Sequence, residues 1–159
     1  MLEVRATDDL DIDIVSLTLR QADVEELKAT GTENPRDALV AGMEMSDGGC
    51  YTITMNELPI AICGTAPVEL IPSFASIWML GTEDIDACPT SFLRLCRKEL
   101  LPDLISPYEM VFNVMDKRNS LHVRFVSWLG FTFIREKPFG PYGLPFYEFA
   151  LINNRRSHV

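Results

Sequence analysis

The stretch NSLHVRFVSWLGF, Asn119 to Phe131, decides the fold. Asn119 carries a side-chain oxygen suited to capping a helix, and Leu121, Phe125, Trp128 and Leu129 then recur on one helical face. Gly130 supplies the residue that ends such a helix, and Phe131 to Arg135 begins a strand. Upstream, Glu109 to Met115 reads as a strand. Before it, Pro89 opens a helix with Phe92, Cys96 and Leu100 on one face, which Pro102 is expected to end or bend. Before that lies the strand Ala75-Ser-Ile-Trp-Met-Leu80. A strand–helix–strand succession implies a crossover, hence a mixed sheet covered by helices.

Further out, Leu2 to Ala6 alternates as a short strand, and Thr7-Asp8-Asp9 supplies caps and acids for the first turn of a helix carrying Ile12, Val15 and Leu19. A second apolar set, Val24 and Leu27, runs to a stop at Gly31, and Asn34-Pro35 starts another helix over Arg36 to Met45. Tyr51, Ile53 and Met55 alternate with polar residues as a half-buried strand. Asn56 to Pro59 makes a turn, Ile60 to Gly64 is a more buried strand, and Ile71-Pro72-Ser73 reads as a loop. Two closing strands, Phe131 to Arg135 and Pro145 to Ile152, flank the loop Gly140-Pro141-Tyr142-Gly143. The order is β-αα-βββ-α-β-α-ββ. The expected organisation is a single domain over 1–152 with a frayed polar tail over 153–159.

At 159 residues there is room for one core, and 47% apolar residues suffice to fill it. The net charge of −9 argues against a nucleic-acid or anionic-membrane partner, while leaving open a local basic pocket. Four cysteines, Cys50, Cys63, Cys88 and Cys96, form no CxxC pair and no zinc-binding spacing with histidine, so free thiols and no metal are expected. The acidic segment Met1 to Leu10 does not read as a signal peptide, and no window is apolar enough to span a membrane. A cytoplasmic protein is the expectation.

The element order, with Asn119 followed eleven and twelve residues later by Gly130-Phe131, resembles the GNAT acyltransferase fold, an α/β (α+β) class. That resemblance implies a mixed, mostly antiparallel central sheet of about six to seven strands flanked by helices. A narrower resemblance rests on Leu58 to Gly64, Ile77 to Thr82 and Asn119 to Phe125. These are similar to small GNAT-like proteins of short-tailed podoviruses, labelled internal virion proteins or acetyltransferases. It covers Asp23 to Leu151, with gaps. It implies a phage protein of the host cytoplasm or the virion.

What the GNAT resemblance implies about the site is specific. Acetyl-CoA would serve as acyl donor to an amine on a host or phage protein or a small molecule, with a homodimer as a further expectation. Its acyl-pantetheine arm would lie along the backbone of Met79, Leu80, Gly81 and Thr82, with Asn119 as a further contact. Glu83, at the strand end, would act as base. The family's proton donor, a tyrosine seven residues beyond the asparagine, is replaced by Val126, which leaves His122, Cys88 or Ser127 as donors. The turn Asp84 to Ser91 departs from the family's glycine-rich phosphate loop. Pro89 removes a backbone donor, and Glu83, Asp84 and Asp86 place negative charge where an anion would dock. Arg94, Arg97 and Lys98 are the cations that would compensate, with Arg94 the one assigned to the cofactor. Two readings therefore stand: an acyl-CoA-dependent N-acyltransferase, and a catalytically silent protein on the same scaffold with a virion-structural, assembly or host-binding role.

Overall fold

The elements run β1 (Leu2–Ala6), α1 (Asp9–Leu17), α2 (Gln21–Ala29), α3 (Pro35–Ser46), β2 (Cys50–Met55), β3 (Leu58–Val68), β4 (Ile71–Gly81), α4 (Pro89–Leu95), α5 (Leu101–Ile105), β5 (Met110–Asp116), α6 (Ser120–Trp128), β6 (Thr132–Phe139) and β7 (Leu144–Ile152). This is a computed structural model, and it describes residues 1–154. Seven strands form one sheet in the order β1-β2-β3-β4-β5-β7-β6. Only β4 and β5 are parallel, joined by the crossover through α4 and α5. The mixed, mostly antiparallel sheet with flanking helices is the architecture that the sequence order implies.

Burial follows from the period of each strand. In β3 the run Ile60-Ala61-Ile62-Cys63 is almost fully buried, because helices cover both faces of the sheet there. Ala61 and Cys63 pack with Phe92, Cys96 and Leu100 on one face, and Ile62 packs with Ile12, Val15 and Leu39 on the other. A further cluster under α6 joins Val111, Met115, Val126, Phe131 and Phe149. Trp78 crosses from β4 to α3, where its Nε1 donates to Ser46 Oγ at 3.2 Å. A Cβ on Gly42 would stand 2.7 Å from the indole, so glycine makes the space that the ring occupies.

Several local expectations change. The first helix breaks after Leu17, because Leu19 leaves it to bridge Thr82 and the Arg20 N–H donates to Gly81 O at 2.9 Å; three helices result where the order predicts two. The β2–β3 turn is shorter than Asn56 to Pro59. Asn56 and Glu57 alone take positive φ, as a two-residue hairpin requires, and Pro59 lies in β3 opposite Thr54 beside a bulge. Ile71-Pro72-Ser73 is strand rather than loop, since β3 and β4 continue to a tight turn between Val68 and Ile71. Pro102 does not end its helix. A π turn over Cys96–Leu100 widens the backbone ahead of the proline ring, and the helix resumes to Ile105. Asn153, expected in the frayed tail, is 6% exposed, donates its N–H to Glu109 O at 2.7 Å, and donates through Nδ2 to Ile105 O and Tyr108 O. Residues 155–159 of the expected tail lie outside the described residues.

One polar knot ties the first strand to the first helix. Asp11 is 1% exposed and accepts two bonds from Arg5, one from Thr52 and one from the Asp8 N–H, while Asp8 caps the helix in return. Burial alone would raise the Asp11 pKa, but the bonds from Arg5, Asp8 and Thr52 outweigh it and hold the carboxyl below its usual range. A depressed folded-state value contributes stability above the unfolded pKa, and that stability is lost as pH falls through the folded value. Asp11→Asn is therefore expected to cost about 1–2 kcal/mol at pH 7, since a buried carboxylate that accepts from Arg5, Thr52 and the Asp8 N–H is lost while the exposed Arg5 returns to solvent. Denaturant unfolding at pH 7 and at pH 3 checks this: the deficit against the unsubstituted protein should shrink in acid.

Candidate active site at the splayed strands

β4 and β5 pair only through Phe74–Met110, Ala75–Val111 and Ser76–Phe112. Beyond Ser76, β4 stays with β3 as far as Gly81, and β5 stays with β7 as far as Asp116, so the two strands part. The side chain of Asn113 spans the opening near its apex, its Nδ2 donating to Ile77 O at 2.7 Å. Parting leaves backbone groups on two strand ends that must find other partners.

Helix α2 supplies them. Asp23 and Glu26 are three residues apart and therefore on one face. Asp23 Oδ2 accepts the Gly81 N–H at 3.0 Å, and Glu26 Oε1 accepts the Asp116 N–H at 3.0 Å, so each carboxylate holds the end of one diverging strand. Asn119 joins them. Its Nδ2 donates to Asp23 Oδ1 at 3.2 Å and points to Glu26 Oε1 at 3.5 Å, while its Oδ1 caps α6 by accepting the His122 N–H. His122 lies next on that helix, with Nδ1 3.5 Å from Glu26 Oε1. That atom is shielded from solvent and has no well-formed hydrogen bond, so the contact is an ion-pair separation rather than a bond.

The electrostatics follow from burial. Burial raises the pKa of Asp23, with the Glu26 charge adding to the rise and the Gly81 N–H and His122 offsetting only part of it. For His122, burial works against the charged form, but the Glu26 carboxylate and the Asp23 charge overcome it and hold the imidazole above its ordinary value. Carboxylates that favour the charged form of a nearby histidine are one way to ready it for proton transfer.

Two cavities meet at this cluster. The first, about 290 Å³, runs between α4 and α6 and is lined by Leu93, Leu121, Phe125 and Trp128, with Arg20 and Arg124 at its polar margins. The second, about 520 Å³, lies beneath the splay. Met79, His122 and Phe125 line both.

The residues singled out from sequence divide accordingly. Asn119 and His122 are at the centre. Met79 borders both cavities, Leu80 the second and Gly81 the first. Both backbone groups of Gly81 are already engaged, by Arg20 and Asp23, and the Thr82 N–H donates to Ile60 O. Glu83 is exposed at the head of a 3₁₀ turn over Glu83–Ala87 and lines neither cavity, so the fold does not bring it to His122. Arg94 is also exposed and borders neither; Arg20 and Arg124 take the positions facing the first cavity. Cys88 and Ser127 likewise line neither. Trp128, on the apolar helical face by sequence, is 45% exposed and stacks under the Arg97 guanidinium at 4.7 Å. Cys63 is buried as expected, and burial pushes its thiol far up. The sequence reading passes over Asp23 and Glu26. Their signal is an acidic pair at one-turn spacing on a helix whose apolar positions, Val24 and Leu27, are too few to bury a stripe.

No family profile and no curated protein matches the sequence. Solved structures do. An aminoglycoside N(6')acetyltransferase from Legionella pneumophila superposes with a TM-score of 0.72 at 17% identity, over 99% of this chain and 95% of that one. A spermidine N-acetyltransferase from Vibrio cholerae, in complex with CoA and spermine, gives 0.68 at 12% identity over 96% of each chain. A GNAT-family acetyltransferase from Streptococcus pneumoniae gives 0.67 at 10% identity, over 96% and 99%. The protein has the GNAT fold. Among the described residues no group of acidic, histidine or cysteine side chains is placed to hold a metal, and no helix is long and apolar enough to cross a membrane.

The raised His122 value has a directional consequence. Its contribution to stability is complete below the unfolded imidazole value of about 6.5 and is lost as pH rises through the folded value. Glu26→Gln should lower the His122 pKa and shift that loss to lower pH. NMR titration of the imidazole protons reads this directly, because the sequence has only two histidines.

Proposed function

We propose that the protein is an acyl-CoA-dependent N-acyltransferase with its reaction centre at His122. The observation that carries this reading is the position of His122, held in its charged form by Glu26 and Asp23, where two cavities meet at the mouth of the splayed strands. The first cavity suits the pantetheine arm. It is a largely apolar groove along Met79, Leu93, Phe125 and Trp128, with Arg124 at its margin for the charged end and Arg20 paired with Asp86. The bound thioester supplies an activated acyl group. The chain's own residues then hold and move protons. His122 takes a proton from the attacking amine as the new N–C bond forms, and returns it to the sulfur as the C–S bond breaks. Glu26 and Asp23 stabilise the imidazolium between those events. Glu83, away from both cavities, has no step.

A specific observation favours the silent half of the second reading, a GNAT-fold protein without catalysis. The Gly81 backbone is occupied by Arg20 and Asp23, and Asp86 of the acidic 3₁₀ turn borders the first cavity, where it would oppose an anion. One measurement separates the two. With the acyltransferase reading, acetyl-CoA at 100 times its Kd stabilises the protein by about 2.7 kcal/mol, a rise of several degrees in Tm. His122→Gln then keeps the shift but loses about 10²- to 10⁴-fold in transfer to a polyamine. No shift at millimolar acetyl-CoA with a folded sample overturns the enzyme reading in favour of the silent one.

A further inference from the structure

The chain sets 14 lysines and arginines against 23 acids, so a cation without an acidic partner is unexpected. Over most of the molecule there is none: outside one surface, every described lysine and arginine pairs with a carboxylate. Arg94, Arg97, Lys98 and Arg124 pair with no carboxylate among the described residues, and all four are exposed. They lie together. Arg94 and Lys98 are one turn apart, and the Arg97 guanidinium stacks on Trp128 of α6, 4.7 Å from the ring centroid. Leu121, Arg124 and Trp128 follow one another along α6 at spacings of three and four, and all three border the first cavity. Leu121 and Trp128 are 51% and 45% exposed, so the basic patch has an apolar flank at the rim of the groove.

The shape of the patch decides its partner. A small anion is held in a concavity, but Arg94, Arg97 and Lys98 line neither cavity. The turn after β4 offers a polyphosphate little. The N–H groups of Gly81, Thr82, Asp84, Ile85 and Cys88 are engaged within the protein, and Asp86 borders the groove. Nucleic acid or an anionic bilayer would extend past the patch and meet the acids around it. An open surface of arginines and an exposed tryptophan beside an apolar groove instead complements the acidic face of a small protein.

We propose that the acyl donor arrives on a small acidic carrier protein, which docks on Arg94, Arg97, Lys98 and Arg124 and passes its phosphopantetheine arm along the first cavity toward His122. This rests on the acyltransferase reading above and adds what carries the arm; CoA, with the same arm, enters the groove without the docking contacts. The arm joins a carrier through a single phosphodiester, so less negative charge passes Asp86 than with the pyrophosphate of CoA. The acyl–sulfur bond breaks as the N–C bond forms. The sulfur takes the proton that leaves the amine through His122, and stays on the carrier as a thiol.

Isothermal titration with an acetylated acyl carrier protein, the same carrier lacking its arm, acetyl-CoA and acetyl-pantetheine tests the proposal. The armed carrier should bind about tenfold tighter than acetyl-CoA, by a margin that narrows as salt rises. Arg97→Glu combined with Lys98→Glu should weaken the armed carrier about 10- to 100-fold and leave acetyl-pantetheine unchanged. If that variant does not fold, the salt series and the armless carrier, measured on the unsubstituted protein, decide alone. Carrier binding no tighter than that of acetyl-CoA, or equal with and without the arm, overturns the carrier proposal and leaves the acyltransferase reading standing. Charge reversal that weakens acetyl-CoA alone also overturns it, and gives the patch to the nucleotide phosphates. Absence of binding by every pantetheine compound overturns the acyltransferase reading, and the carrier proposal with it.

Discussion

Parting two strands of a sheet exposes backbone donors that would otherwise be paired, and such groups cannot be left bare in a protein interior. Here the debt falls on Gly81 and Asp116, one on each strand, and both are met by carboxylates of a single helix. Much else follows from that. The helix must start where Asp23 can reach β4, so the chain breaks after Leu17 and lays Leu19 and Arg20 along the strand end. Glu26 then stands one turn on, over β5. Asn119 fits between the two acids because its amide donates while its carbonyl accepts, so one side chain links the acid pair and caps α6.

The same constraint creates an electrostatic problem. Two carboxylates brought together under partial burial repel, and desolvation penalises both charges. Asp23 feels this as a raised pKa. The imidazole of His122 relieves it, since a positive charge beside Glu26 and Asp23 is favoured even though burial alone would disfavour it. A histidine held in this way is oriented by structure that the fold needs anyway. Scaffold and candidate chemistry therefore share one set of atoms, which is why Asn119 reads equally well as a helix cap and as a site residue.

The sequence made the scaffold legible where local chemistry and tertiary demand agree. Asn119, Gly130 and the apolar positions of α6 announce a capped helix returning to the sheet, and the Asn34-Pro35 start of α3 is as plain. Legibility failed where a distant partner decides. The break at Thr18 has no local signal, because Leu19 leaves the helix for a strand sixty residues away in the chain. Pro102 reads as a stop or a bend, and the π turn ahead of it lets the helix through. For the site, His122 and Asn119 were legible from their place on α6. Asp23 and Glu26 were not, because exposed acids on a helix look the same as buried ones until a sheet edge meets them. Glu83 was placed by analogy with a strand end, and the 3₁₀ turn carries it outward.

Met79, His122 and Phe125 form a party wall: each presents atoms to both cavities. A molecule that settles in one compartment and shifts any of the three changes the shape and charge presented to the other. Thermodynamic reciprocity then makes the effect mutual, so that the first arrival sets the affinity for the second by the same factor in either sequence. The wall thus makes the coupling between two compartments a property of three side chains.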